Sequence, residues 1–212
     1  INRKGMLLDM TKREEAIKEF TKNIDSLQLK IYNMIGQEVN LRGQEIKDVL
    51  YKEMGLYNGK RTGSLDKDAL TSLASRYPDL SLLFNTIKEC KHLLHVRSSF
   101  LEALQPGEDM VMYPKYGIGP VTGRLKCKKP NFQNIPPGAP RSLFVTRPGH
   151  VFIYADYSQL EVRILALLAN EKSMLDILEK GGDFHEYTRS IIYEGQEKTQ
   201  EQRKISKNIF FG

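Results

Sequence analysis

The stretch Val151–Ala169, VFIYADYSQLEVRILALLA, decides how the rest of the chain is read. Residues 151–155 are apolar and β-prone, and Asp156 follows them at once. An amphipathic helix is predicted directly afterwards, to about Ala169. Asp156 therefore sits at the tip of a predicted strand, with Tyr157, Ser158, Gln159 and Glu161 clustered around it. Two readings of this acid stand side by side. It caps the helix that follows, or it is an oxygen ligand for a divalent cation, placed where metal-assisted phosphoryl-transfer sites put one.

Working outward, the charge pattern upstream is uneven. No acidic residue lies between Asp109 and Asp156. That window holds Lys115, Arg124, Lys126, Lys128, Lys129, Arg141 and Arg147, mixed with Tyr113, Tyr116, Asn131, Phe132, Gln133 and Asn134. Cations without a counter-charge repel one another unless an external anion neutralises them. Amides interleaved with Pro and Gly suit a surface that tracks phosphates; a solvated loop is the alternative.

The chain as a whole has 212 residues, 40% hydrophobic and 27% charged, with a formal net charge of +6. That is the composition of an ordinary globular protein, long enough for one large domain or two small ones. No apolar run approaches the roughly 18 residues of a membrane span, and no signal peptide opens the sequence, so a cytoplasmic protein without a membrane partner is expected. Cys90 and Cys127 lack metal-ligand spacing, which speaks for a reducing compartment and against a zinc site.

The first third reads as long helices. Ile17, Phe20, Ile24, Leu27, Ile31 and Met34 form one seam, and Leu80, Leu83, Ile87, Cys90, Leu94, Leu101 and Leu104 a second, interrupted by Arg97. Two such helices are predicted to pack as an antiparallel pair; a coiled-coil dimerisation arm is the alternative. Leu56–Asp68 between them is a polar loop with Lys60 and Arg61. Residues 106–150, rich in Pro and Gly, predict short strands and loops. Further helices are predicted over 172–180, ended by Gly181 and Gly182, from Phe184 behind an Asp183/Glu186 capping box, and after a Thr199/Gln202 box. On the last helix Arg203, Lys207 and Phe211 share one stripe that could hold a triphosphate and a sugar or base, while Ile205 and Ile209 read as its core face.

These residues carry a resemblance. TGRLKCKKPNFQNIP at 122–136 resembles the TGRLSSxxPNLQNIP block of family A DNA polymerases, the bacterial DNA polymerase I type. ADYSQLEVRILALLA at 155–169 resembles motif A of that family, DFHEYT at 183–188 its DIHxxT segment, and RKISKNIFFG at 203–212 the first half of motif B. INRKGMLLD, VNLRGQEIKDVLY and VRSSF resemble its thumb. The resemblance implies an α+β fold, a right-hand polymerase fragment with an antiparallel helical thumb (1–105), part of a palm sheet with basic loops and motif A (106–170), and the start of helical fingers (171–212).

It also implies roles. Asp156 would be a Mg²⁺ ligand, helped by the Tyr157 carbonyl, and Tyr157, Ser158, Gln159, Glu161, His185, Arg203, Lys207 and Phe211 would line the dNTP site. Within that set Glu161 would reject a ribose 2′-OH, Arg203 and Lys207 would hold the triphosphate, and Arg163 would pair with nearby acids. Lys60, Arg61, Arg97, Arg124, Lys126, Lys128, Lys129, Asn131, Gln133 and Asn134 would contact primer–template DNA. Two departures from the family pattern stand out: the cationic Lys126, Cys127, Lys128 and Lys129 follow GRL, and Phe210 precedes Phe211 where Asn is common. The Tyr-Gly of motif B and the His-Asp-Glu of motif C do not occur, so a second polypeptide is expected to complete a split enzyme that is inactive on its own. A non-catalytic DNA-binding module derived from a polymerase is the competing reading.

Overall fold

The computed structural model describes residues 4–57, 63–119, 121 and 123–211, the side chains of Phe210 and Phe211 excepted. Lys60 and Arg61 lie outside the described residues, as does the Phe211 side chain. The chain divides into two compact units, Ile1–Val151 and Phe152–Gly212, so the division falls inside the segment 106–170.

In the first unit, strand β1 (Met6–Leu8) runs into Asp9, whose carboxylate accepts the backbone N–H of Lys12 at 3.0 Å. This satisfies one of the donors that a helix start leaves unpaired. Helix α1 then continues over Met10–Ile35 until Gly36, at φ 85°, ends it in the left-handed region that glycine tolerates. Short α2 (Glu45–Asp48) with a following π-helical turn, and α3 (Lys67–Arg76) behind its Asp66 cap, lead to α4 (Ser81–Val96). A π-helical turn over Arg97–Glu102 extends α4.

The two seams do pack against each other, and the direction follows from their cross-links. Arg13 Nε donates to the Leu101 carbonyl at 2.7 Å, and Arg97 donates to the Thr21 hydroxyl at 3.2 Å. Asp25 lies close enough to Cys90 to act on its thiol, which burial first, then Glu89 and Asp25, push up to about 11. As numbers rise along α1 they fall along α4, so the pair is antiparallel. Ile24, Leu27 and Ile31 meet Leu83, Phe84, Ile87 and Cys90 in one core, which Ile46, Leu50, Leu70 and Leu73 enlarge. Ile17 and Phe20 leave that core for a second one built around Leu8, Leu101, Leu104, Leu143 and Phe144, and Met34 is exposed.

The second core lies at a small antiparallel sheet. β1 is its central strand, pairing with β2 (Val111–Met112) on one side. After the hairpin β3 (Lys115–Ile118) and β4 (Leu125–Lys128) and the short helix α5 (Ala139–Ser142), β5 (Phe144–Val145) pairs on the other side. The first strand of the chain is thereby fastened between segments more than a hundred residues away.

The second unit holds α6 (Leu160–Ala169), α7 (Lys172–Glu179), α8 (Phe184–Ile192) and α9 (Gln200–Phe211) around a small core of Val162, Ala166, Leu178 and Phe184. The strand expected over 151–155 does not form: residues 151–157 are in no strand, and Ile153 and Tyr154 are each 89% exposed. A strand exists only where a neighbour supplies its ladder bonds, and among the described residues none pairs here. The expected core face of α9 is also corrected. Ile205 and Ile209 are exposed, whereas Ser206 is fully buried and Gln202 and Arg203 are partly covered, because α9 packs on α8 through polar side chains. No helix of the described residues is long and apolar enough to cross a membrane.

Phe84 is completely buried where α1, α3 and α4 meet, whereas Leu82, two residues away, is 69% exposed. Phe84→Ala should lower unfolding stability by about 3–5 kcal/mol. Leu82→Ala should change it by no more than about 0.5 kcal/mol in the same chemical denaturation series.

Candidate functional site

In the second unit the site grows from Gln159. This residue sits at φ 52°, a left-handed conformation that a non-glycine side chain holds only when its surroundings fix it. The surroundings are its own amide contacts. Gln159 Nε2 donates to the Gly182 carbonyl at 3.0 Å, and its Oε1 accepts the Phe184 N–H at 2.8 Å. The start of α6 is thus clipped to the start of α8. Gly182 is required there, since a Cβ would lie 2.8 Å from Ile177 Cγ2 and 2.9 Å from its carbonyl oxygen.

Asp183, between the two backbone groups held by that clip, caps α8. Its Oδ1 accepts the N–H of His185 at 2.9 Å and of Glu186 at 3.3 Å, and its Oδ2 pairs with Arg203 of α9. Burial alone would raise the Asp183 carboxyl, but the Arg203 guanidinium and the backbone donors outweigh it and hold it below its usual value. The capping box is half made: Glu186 accepts from Arg189 at 3.0 Å and from Lys198 at 2.9 Å. Thr199 and Gln202 form a complete box, each accepting the other's backbone N–H. The buried Arg189 then reaches Gln202 at 3.4 Å, fixing α9 on α8.

His185 is buried beside this pair. Burial pushes its imidazole below the ordinary range, Lys207 and Arg203 push the same way, and Asp183 opposes them. Arg203, Lys207 and an imidazole whose protonation is disfavoured therefore share one neighbourhood with the Asp183 carboxylate. Lys207 itself is exposed. Such a cluster of donors matches the oxygens of a polyphosphate.

Asp156 is exposed and three residues ahead of Gln159, which is the N-cap of α6, so the N-cap reading fails. Tyr157 and Ser158 are exposed too, and Glu161 is exposed in the first turn of α6. Arg163 departs from its expected acid pairing and donates instead to the carbonyls of Ser158 at 2.9 Å and Leu178 at 3.2 Å. Mg²⁺ takes oxygen donors in octahedral geometry and is commonly held by one or two carboxylates plus substrate phosphates. Asp156 fits one such place. It does not make a site by itself, since no group of three or more His, Cys, Asp or Glu suited to a metal occurs among the described residues.

In the first unit the acid-free window folds as a hairpin with a charged face. Lys115 stands opposite Lys128, and Gly117 opposite Lys126, so three lysines share one side. Like charges directly across a ladder are destabilising, and an external polyanion would relieve them. Sequence reasoning leaves Lys115 out of the DNA-contacting set, although its place in the window and the alternation of the strands could have found it. Lys129, Arg124, Asn131 and Asn134 are exposed nearby in the chain. Gln133 instead serves the hairpin. Its Oε1 accepts the Cys127 N–H at 3.0 Å and its Nε2 donates to the Leu125 carbonyl at 2.9 Å, stiffening β4. Asn131 caps the turn that carries it. Arg141 and Arg147 are likewise spent on the carbonyls of Ile135 and Lys4. Arg97 turns into the fold, paired with Glu102 at 3.2 Å and held to Thr21.

The family model described as DNA polymerase family A matches residues 10–212. The chain is 29% identical over 216 residues to DNA polymerase I of Helicobacter pylori and 30% identical over 229 residues to that of Chloroflexus aurantiacus. Each match covers 98% of this chain and 24% of the relative, so the chain spans about a quarter of the length of these curated relatives. Among solved structures, the POL domain of Pol1 from M. smegmatis, in complex with DNA primer-template and dNTP, superposes with a TM-score of 0.79 at 27% identity. That match covers 98% of this chain and 39% of the other. With an α+β fold of this kind and a family match running through both units, the chain belongs to DNA polymerase family A.

Proposed function

We propose that this chain supplies the nucleotide-facing and duplex-holding parts of a DNA-directed DNA polymerase, which joins dNTPs to a primer 3′-OH. The observation that carries the reading is the continuous hydrogen-bonded path from Gln159 through Gly182 and Phe184 to Asp183 and Arg203. It ties the segment bearing Asp156 to the helix bearing Arg203 and Lys207. In this reading Arg203 and Lys207 grip the triphosphate, and His185, kept neutral, donates a hydrogen bond to it. Glu161 crowds the sugar against a 2′-OH, and Phe211 packs on the sugar and base. Gln159 acts by positioning α8 rather than by touching the nucleotide. Mg²⁺ bound at Asp156 and the Tyr157 carbonyl would offset charge on the transferred phosphoryl group.

No acid cluster suited to a metal occurs among the described residues, and in this reading a second polypeptide supplies the further carboxylate. The lysine face of β3–β4 holds the duplex backbone, with Arg124 at the minor groove of the primer end. Arg97, spent on Glu102 and Thr21, shapes the thumb rather than meeting DNA.

Complemented by polypeptide carrying the missing acid, the chain should extend a primed template with Mg²⁺. Asp156→Ala should cut extension about a thousandfold, the scale of several kcal/mol of metal-borne stabilisation, and leave duplex affinity unchanged. Turnover close to the unsubstituted level would remove Asp156 from the chemistry and favour a DNA-binding module.

Duplex binding by the chain should weaken with salt as condensed counterions are released. Replacing Lys126, Lys128 and Lys129 with Gln should flatten the plot of log K against log salt by up to about 2.7, about 0.9 per phosphate contact. A slope near zero for the unsubstituted chain would leave the lysine face of the hairpin merely solvated and remove it from DNA binding.

His185 should titrate by NMR below the free-imidazole value of about 6.5. Because its folded value is depressed, the neutral form supports the fold above the unfolded value, and that support is lost as pH falls through the folded one. A bound triphosphate should move the value up, since an anion favours imidazolium. Lys207→Gln should raise it without nucleotide and shrink the shift that dNTP causes.

A further inference from the structure

In the first unit, α1 carries Asp25, Leu29 and Tyr32 in one exposed stripe, beside its buried face rather than within it. Leu29 is 60% exposed and Tyr32 43%. Together with the segment 37–42, Glu45 and Leu94 they line a cavity of about 800 Å³. The polar groups of this lining are unevenly committed. Arg42, the cation there, is exposed and donates to the Leu94 carbonyl and to the Ser98 hydroxyl at 2.9 Å, so its donors are engaged and its one charge stands against three carboxylates, Asp25, Glu38 and Glu45. Glu45 accepts the Asn40 N–H at 2.8 Å. Asp25 and Glu38 have neither a hydrogen bond nor an ion pair among the described residues. A chain of net charge +6 thus presents an acidic trough with an apolar floor.

The lining selects among ligands. Nucleic acid is repelled by the two uncompensated carboxylates. A small molecule binds where 70–90% or so of its surface is enclosed, and a trough walled by half-exposed Leu29 and Tyr32 does not enclose it. An extended or helical peptide laid along α1 meets both needs, with an apolar anchor between Leu29 and Tyr32 and flanking cations on Asp25 and Glu38. Arg is favoured, since its guanidinium also packs on a tyrosine ring. We propose that this trough is a docking site for a cationic peptide segment of a partner protein, anchored by one large apolar side chain. Nothing in this depends on the polymerase reading.

The test uses the 212-residue chain and two fluorescent peptides, one with Lys and Arg flanking a Leu-Phe pair, the other with Glu in place of each cation. The cationic peptide should bind saturably and the acidic copy should not, with duplex DNA failing to compete. Asp25→Lys with Glu38→Lys should weaken binding about tenfold, the product of two exposed ion pairs. Leu29→Ser should weaken it about fivefold through loss of the anchor. Circular dichroism and thermal melting of both variants should match the unsubstituted chain, since all three positions are exposed. Equal binding of the acidic peptide, equal binding by the variants, or no saturation overturns the proposal. Concentration-dependent dimerisation in sedimentation, abolished by the same substitutions, also overturns it and assigns the trough to a second copy.

Discussion

Asp183 satisfies the first open N–H groups of α8 with one oxygen and grips Arg203 of α9 with the other. The two bonds depend on each other. The cap fixes where the carboxylate points, and the carboxylate's direction decides where the guanidinium stands. A helix N-terminus already favours negative charge, so the acid is ionised and ready for its cation. Around this pair the remaining parts fall into place: the Gln159 clip on one side, and the Glu186, Arg189 and Gln202 network that seats α9 on the other. A single carboxylate between two cations leaves net positive charge in the cluster, which suits a site meant for a polyanion.

The β3–β4 hairpin uses a related arrangement. Its lysine face opposes itself, and the side-chain amide of Gln133 holds the strand that presents it. Rigid backbone under repelling charges would leave little ordering to be done were an anion to bind there, as proposed. Three of the arginines nearest in sequence, Arg97, Arg141 and Arg147, serve the fold instead, so a count of cations overstates the charge available for binding.

Local patterns were legible in the sequence. The spacing of the two apolar seams, the Asp183 and Thr199 caps and the end of α7 before Gly181 are written within a few residues of sequence, which periodicity and capping rules capture; that Ile17 and Phe20 join a second core and Met34 none is not. What escaped reading depends on partners distant in sequence. A side-chain amide bound to backbone some twenty-five residues away, as at Gln159, leaves no periodic trace. Ile205 and Ile209 read as a core face because apolar residues usually are, yet α8 offers α9 the polar Arg189 and so draws in Gln202 and Ser206. Lys60, Arg61 and the Phe211 ring lie outside the described residues, and their roles rest on resemblance.

The uncovered run from Val151 to Ala155 has a consequence for handling the protein. Aromatic and β-branched residues in succession, with no proline or charge among them, are the composition of segments that stack with copies of themselves into cross-β assemblies. Strand neighbours would bury this run; left bare, it is a seed for aggregation at high concentration. Asp156 closes the segment with a negative charge, the placement of a gatekeeper that disfavours stacking in register. Replacing Asp156 by a neutral side chain would remove that charge, so lost extension in such a variant counts for the metal only while the variant stays monodisperse.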